Sequence, residues 1–202
     1  MKIFCIGRNY VDHVKELSNA VPTEPVIFMK PITALHPIRN YFYIPEFSND
    51  VHYEAELVIQ INNHGRSIEE QFAHKYYNEY TLGLDLTARD VQKDLKSKGL
   101  PWEIAKGFDF SAHLGDFMSL KNQDINDIDF ELKINGNQVQ IGNSKDMIFN
   151  CNQLVAHISK YFTLNKGDVI FTGTPAGVGP IKKGDTLEGY IGQNKMFTLD
   201  IK

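Results

Sequence analysis

The amino-acid sequence predicts an α+β fold in which β-structure dominates. Short apolar runs are punctuated by 15 glycines and 8 prolines along the whole chain, the spacing of a strand-rich protein. Phe130, Leu132 and Ile134 alternate up to Asn135-Gly136, and Val139 and Ile141 alternate after it, which predicts a hairpin closed by a type I′ turn. Residues 51–61 (VHYEAELVIQI) carry the longest strand pattern and end at the turn signal Asn62-Asn-His-Gly65.

The remaining elements follow in chain order. Residues 1–6 read as a strand ending at Gly7, and Val11 to Leu17 as a short helix. Val26 to Met29 is a brief strand stopped by Lys30-Pro31, because proline cannot donate to a ladder. Residues 68–80 and 88–98 place apolar groups at helical spacing, Val91 with Leu95 for example, so a helix is expected in each. Between them Thr81 to Leu86 reads as a buried strand. Leu154, Val155, Ile158 and Phe162 mark an amphipathic helix, and Val169 to Phe171 a strand that runs into the glycine-rich turn from Gly173 to Gly179. No repeat, low-complexity tract or linker divides the 202 residues, so residues 1–202 are expected to form one domain.

Composition narrows the function. Hydrophobic residues make up 42% and charged residues 23%, which excludes intrinsic disorder. Lys and Arg number 21 against 25 Asp and Glu, a net charge of −4 with no basic run, which argues against nucleic acid as a partner. No stretch approaches the ~18 unbroken apolar residues of a membrane helix, and the opening seven residues turn polar too soon for a signal peptide. Cys5 and Cys151 stand far apart, outside any CxxC or Cys/His pair. A disulfide framework and a thiolate zinc site are thereby excluded, and a cytoplasmic location is expected.

The strongest chemical signal is Glu54-Ala55-Glu56. Strand side chains alternate faces, so the two glutamates share one face, roughly 7 Å apart at ~3.3 Å per residue. Val51, Tyr53, Ala55, Leu57 and Ile59 take the other face, which reads as core. The two carboxylates can converge on one cation; the plainer alternative is a solvated strand face. Asp85 lies in the apolar segment Leu82-Gly-Leu-Asp-Leu86, where an unpartnered carboxylate is costly. It can join the glutamates, pair with Arg89, or cap the helix that follows. Three carboxylates would form an all-oxygen site suited to Mg2+ or Mn2+, with Ca2+ as a substitute and Zn2+ a poor fit. About half of an octahedron would stay open for water or a chelating substrate.

His13 and Glu16 stand three apart in the short helix and share a face. A carboxylate on one ring nitrogen orients an imidazole and leaves the other nitrogen to take a proton, so the pair can act as a general base; a solvated helix face gives the same spacing. The turn from Gly173 to Gly179 lacks the Lys-Ser/Thr ending of a P-loop and the register of a dinucleotide site. Its backbone N–H groups can still meet a carboxylate, or it is a plain tight turn. His52 shares the face of Glu54 and Glu56, where it could support them from behind.

Several segments then carry a resemblance. Ile6-Gly-Arg-Asn-Tyr10 with Asp12-His13, Phe28-Met-Lys-Pro31, His52-Tyr-Glu-Ala-Glu-Leu57, Asp85-Leu-Thr-Ala-Arg-Asp-Val-Gln92, Gly99-Leu-Pro-Trp102 with Ala105-Lys106, Met147-Ile-Phe149 and Thr172-Gly-Thr-Pro-Ala-Gly-Val-Gly179 together resemble the fumarylacetoacetate hydrolase family, in the family's order. The match is to its short, single-domain acylpyruvase and oxaloacetate decarboxylase branch. The resemblance implies a mixed β-sandwich roll with peripheral helices, usually a homodimer. It places the metal ligands on Glu54, Glu56 and Asp85, for Mg2+ or Mn2+. It places the catalytic dyad on His13 and Glu16, in a segment that acts as a lid, the active-site lysine on Lys106, and substrate contacts on Arg89, Gln92 and Thr174. The chain departs from the family pattern at Leu84, where Asn is frequent, at Ser144, where Thr is common, and in the proline-free run from Ser111 to Asp116.

The activity implied is metal-dependent hydrolysis of a C–C bond in acylpyruvate-type 2,4-diketo acids, with decarboxylation of oxaloacetate through the same enolate. Arg89 and Lys106 are expected to draw in the small anionic keto acid. The alternatives are an isomerase, decarboxylase or hydratase of aromatic catabolism in the same family, and a keto-acid-binding protein without chemistry.

Overall fold

The computed structural model describes residues 1–16, 20–36, 41–121 and 123–202. In chain order its strands are β1 (Ile3–Gly7), β2 (Val26–Lys30), β3 (Tyr41–Phe42), β4 (Val51–Tyr53), β5 (Ala55–Ile61), β6 (Tyr77–Asp85), β7 (Thr87–Ala88), β8 (Ala112–Leu114), β9 (Met118–Ser119), β10 (Asp129–Ile134), β11 (Asn137–Asn143), β12 (Val169–Phe171), β13 (Gly179–Pro180), β14 (Thr186–Ile191) and β15 (Asn194–Ile201). The α-helices are α1 (Val11–Glu16), α2 (Arg89–Ser97), α3 (Glu103–Lys106) and α4 (Cys151–Tyr161). The architecture is mainly β, as expected.

Among the described residues the strands make three sheets. The first runs β2-β1-β12-β5-β6-β8 with β9 also on β6, the second β11-β10-β14-β15-β3, and the third β13-β4-β7. One face of the first sheet (Phe4, Ile6, Leu57, Ile59, Leu82, Leu84) joins Leu154, Val155 and Ile158 of α4 and Phe130, Leu132, Leu187 and Leu199 of the second sheet in one buried cluster. Its other face buries Ile3, Cys5, Val58, Val169 and Phe171. The β10–β11 hairpin closes as predicted: Asn135 (φ 52°) and Gly136 (φ 80°) both take the positive φ that a type I′ turn requires. α4 begins at a capping box, in which the Asn150 side chain accepts from the Gln153 N–H at 3.0 Å and Gln153 accepts from the Asn150 N–H at 2.9 Å.

Two predicted elements change form. The strand expected over 51–61 breaks at Glu54: β4 pairs with β7 and β13, whereas β5 pairs with β12 and β6. The chain changes sheets there, so the uniform core face of Val51 to Ile59 survives while the backbone does not run straight. The helix expected over 68–80 is a 3-10 segment, Glu70–Lys75, followed directly by β6. Tyr77 and Tyr80 are buried where β6 completes the ladder with β5, and that pairing outweighs the local helical spacing. α1 matches the expected helix up to Glu16; Leu17 lies outside the described residues. The helix expected over 88–98 is α2, and the strands expected at the N-terminus, at 26–29 and at 169–171 are β1, β2 and β12.

Candidate metal centre and active site

Strand direction assembles the site. β1 runs parallel to β12, β12 antiparallel to β5, and β5 antiparallel to β6. The C-terminal ends of β1, β12 and β6 and the N-terminal end of β5 therefore meet at one edge of the sheet. Glu54 and Glu56 stand at the start of β5, and Asp85 at the end of β6. The Asp85 N–H donates to the Glu54 carbonyl at 2.9 Å, which holds the two segments in register. All three carboxylates are buried, and each offers an oxygen within 4.8 Å of the others.

Cations surround these carboxylates. Lys106, at the end of α3, reaches Glu54 Oε2 at 2.8 Å and Asp85 Oδ2 at 2.7 Å. The Arg89 guanidinium donates to Glu54 Oε1 and, at 2.7 Å, to Gln92 Oε1. Lys30 pairs with Asp85 Oδ1 at 2.7 Å and donates to the Ser111 hydroxyl at 3.0 Å and the Lys106 carbonyl. Burial alone would raise the Glu54 carboxyl, but Lys106 and Arg89 outweigh it and hold it well below the usual carboxylate range. Burial likewise works against the Lys106 charge, and Asp85 and Glu54 overcome it and raise the ammonium. Among the described residues Glu56 forms no ion pair; its hydrogen-bond partner is the Gly173 N–H at 2.7 Å, and Lys106 acts on it only from a distance. Burial first, then Asp85 and Glu54, push its carboxyl well above its ordinary value.

That imbalance leaves the cluster short of one positive charge beside Glu56, where a divalent ion fits. Lys106 already bridges two of the three carboxylates as a stand-in cation, and Glu56, the third, is left wanting positive charge. The donor set is all oxygen, which suits a hard divalent cation held by Glu54, Glu56 and Asp85.

His13 lines the same cavity, and Glu16 reaches its ring. His13 is buried, and its Nδ1 lies 3.2 Å from Glu16 Oε2. Glu16 is pinned in turn by the Gly177 N–H at 3.1 Å. The glycine-rich turn thus does meet carboxylates, those of Glu56 and Glu16. Gly173 (φ 101°) passes so close to Asn9 that an added Cβ would lie 2.7 Å from the Asn9 Cβ, so a side chain there would push the turn off both acids. Arg89, Gln92, Thr174 and Lys106 all line the cavity with His13 and the three acids. The Thr174 hydroxyl donates to the Ala55 carbonyl at 2.9 Å and accepts from Gln140 at 2.9 Å, so it also braces the start of β5.

Several expectations need correction. Asp85 neither pairs with Arg89 nor caps α2, whose N-cap position is Ala88. His52 turns to Asp50, at 2.9 Å, and is no support for the glutamates. Arg89 and Lys106, expected to draw in an anion, stand at the cavity wall, Arg89 ion-paired with Glu54 and Lys106 with Glu54 and Asp85. Lys30 is the residue the sequence reading passes over: a lysine ending the apolar run from Val26 carries the same burial cost that betrays Asp85. Of the departures from the family pattern, Leu84 is a core residue, the Ser144 hydroxyl accepts from the Ile128 N–H at 2.8 Å, and Ser111 opens the proline-free run as the partner of Lys30.

A family model described as fumarylacetoacetate (FAA) hydrolase, C-terminal, matches residues 2–199. The chain belongs to the fumarylacetoacetate hydrolase family. Within that family it is 45% identical over 188 residues to the oxaloacetate tautomerase YcgM of Escherichia coli, covering 92% of this chain and 86% of that one. It is 41% identical over 203 residues to a mitochondrial oxaloacetate decarboxylase of Dictyostelium discoideum, covering 99% and 93%. The fold superposes with a TM-score of 0.94 on the fumarylpyruvate hydrolase of Pseudomonas aeruginosa solved with Mn2+ and pyruvate, at 31% identity over 100% of this chain and 89% of that one. The family's mixed β roll with peripheral helices is therefore the fold of this chain.

Proposed function

We propose that this protein is a divalent-metal-dependent enzyme that cleaves the C–C bond of acylpyruvate-type 2,4-diketo acids and also decarboxylates oxaloacetate. The observation that supports this reading best is the convergence of three buried carboxylates, Lys106 and His13 on one cavity, with Glu16 on the His13 ring. Glu54, Glu56 and Asp85 are the proposed ligands of Mg2+ or Mn2+, with Ca2+ as a substitute; the Mn2+ and pyruvate named for the P. aeruginosa relative support this reading. When bound, such a cation supplies Lewis-acid polarisation of a keto acid and a counter-charge for its enolate.

The chain's own residues supply the rest. Glu16 on Nδ1 orients the His13 ring, so Nε2 is the atom that takes a proton from water as it attacks the distal carbonyl. The bond to carbon 3 then breaks, a carboxylic acid leaves, and the proton returns to carbon 3 to give pyruvate. Lys106 adds positive charge as the enolate forms. Arg89, Gln92 and Thr174 are the proposed substrate contacts. Oxaloacetate reaches the same enolate by loss of CO2, without the attacking water.

A second reading is keto–enol tautomerisation of oxaloacetate, favoured by the name of the E. coli relative. It moves one proton between carbon 3 and oxygen and breaks no C–C bond, a task for the same His13 Nε2.

The working unit proposed is a homodimer of one-domain chains in the cytoplasm. Two free, buried cysteines suit a reducing compartment, and no helix among the described residues is long and apolar enough to cross a membrane. Product analysis tests the activity: acetylpyruvate should yield acetate and pyruvate, and oxaloacetate pyruvate and CO2. In His13→Ala hydrolysis should fall by about 100-fold or more, and decarboxylation by much less. Conversion of enol to keto oxaloacetate with no pyruvate released would move the assignment to the tautomerase.

A further inference from the structure

Among the described residues, two cations in the cavity are paired with no acid. Arg89, Lys106 and Lys30 are directed at Glu54 and Asp85. Arg8 and Lys96 line the same cavity, yet neither charged group has a hydrogen bond or ion pair among the described residues. The Arg8 Nε is buried without a partner, an arrangement that costs free energy unless something arrives to meet it.

The backbone points the same way. Arg8 sits at φ 63°, a left-handed conformation that a non-glycine residue adopts only when the surroundings impose it. Asn9 does the imposing: its amide donates to the Thr172 carbonyl at 2.7 Å and the Phe149 carbonyl at 3.0 Å, and it accepts from the Phe149 N–H at 2.8 Å. The clamp fixes the turn after β1 in the form that presents Arg8 to the cavity. Lys96 lies one and two helical turns beyond Gln92 and Arg89 on α2, and its ammonium sits 5.2 Å from the centre of the Trp102 ring. The residue as a whole is exposed, but its ammonium is partly desolvated, and this, then Arg8, Arg89 and Lys106, lower its basicity. The four cations are close enough to repel one another.

We propose that Arg8 and Lys96 are the residues that select for a second, distal carboxylate on the keto acid, over a neutral tail. The inference rests on the keto-acid reading above and adds which residues choose among keto acids. A cleft of about 290 Å³ opens alongside, apolar along Val26, Met29, Leu100 and Trp102 and bordered by Glu103 and Lys106, and is the competing berth for the tail. A neutral tail in that cleft leaves Arg8 and Lys96 unpaired; a carboxylate satisfies both.

The test compares 2-oxoadipate with 2-oxohexanoate, which match in length and differ in the terminal carboxylate, and neither of which has the second keto group that cleavage needs. Calorimetric titration of the Mg2+-loaded protein should show 2-oxoadipate binding tighter by about ten-fold or more. Lys96→Met, which keeps a stem against Trp102, and Arg8→Gln should each remove most of that advantage and leave 2-oxohexanoate unchanged. Equal weakening of both ligands would overturn the proposal by moving the pair to the carboxylate next to the keto group. Equal affinities in the wild type, or tighter 2-oxohexanoate, would overturn it in favour of the apolar cleft. Acetylpyruvate turnover in the same preparations separates the two levels. Turnover without the preference removes only the subsite, whereas neither turnover nor binding removes the keto-acid reading and the subsite with it.

Discussion

Glu56 differs from its two neighbours in what compensates it. Glu54 has Lys106 and Arg89, Asp85 has Lys106 and Lys30, and Glu56 has one backbone N–H. Glu56→Gln keeps the size and the Gly173 contact and removes the third negative charge. Affinity for Mn2+ should drop by about 100-fold or more. The metal-free protein should unfold no earlier than wild type, since a buried carboxyl has become a neutral amide. The pH dependence follows from the raised carboxyl. Between its ordinary value of 4.5 and its higher folded value, the folded chain binds a proton that the unfolded chain has lost. Its contribution to stability therefore falls as pH rises through that window. Cation binding displaces the same proton, so wild-type Mn2+ affinity should climb with pH there and that of Glu56→Gln should climb less. Calorimetry in buffers of different ionisation enthalpy reads the released proton. At this scale much of the site was legible: a carboxylate in an apolar run is costly, and the cost singles out Asp85. Lys30 carried the same signal in the apolar stretch from Val26. Arg8 carried none, because its significance lies in a backbone angle.

The elements show where periodicity stops informing. A period-two pattern over 51–61 identifies the core face of Val51 to Ile59 but is blind to the switch of sheets at Glu54 and to the pairing of β5 with β6 that sets Asp85 beside it. Helical spacing over 68–80 is real, yet β5 needs a partner and Tyr77 and Tyr80 supply it. By contrast, signals that depend on neighbours in sequence held, as at Asn135-Gly136 and the N-terminus of α4. Asn150→Ala should cost about 1 kcal/mol in urea unfolding, with no effect on activity. β8 carries a pH-sensitive element. His113 is buried with its ring 5.0 Å from Phe197, its Nδ1 has no partner, and burial, then His36, lower it from 6.5 to about 3. A histidine lowered in the fold is protonated first in the unfolded chain. Stability is full above about pH 6.5 and declines as pH falls toward 3, by up to about 1.4 kcal/mol per pH unit. Wild type should therefore lose about 2 kcal/mol more than His113→Phe between pH 7 and pH 5; equal losses would show that the ring is protonated in the fold.

For the whole molecule, the decisive facts are pairings between distant segments. Ile3 lies beside Val169, and Phe171 beside Val58, so residues from both ends of the chain frame one edge of one sheet. Strand patterns name the strands and say nothing of their partners. Only the ordered set of motifs from Ile6 to Gly179 carried the topology, and it carried the site with it. The net charge of −4 misleads about the cavity, whose lining carries Arg8, Arg89, Lys96 and Lys106 beside three acids, with Lys30 buried behind Asp85. That gathering of charge suits an anionic substrate and a divalent ion together. The most direct measurement is the loss of acetylpyruvate by purified protein with Mg2+ or Mn2+, repeated after removal of metal by a chelator and again after its return. Turnover that disappears with the chelator and recovers with the metal is the predicted result. Undiminished turnover in protein shown by elemental analysis to be free of metal would contradict the assignment of Glu54, Glu56 and Asp85.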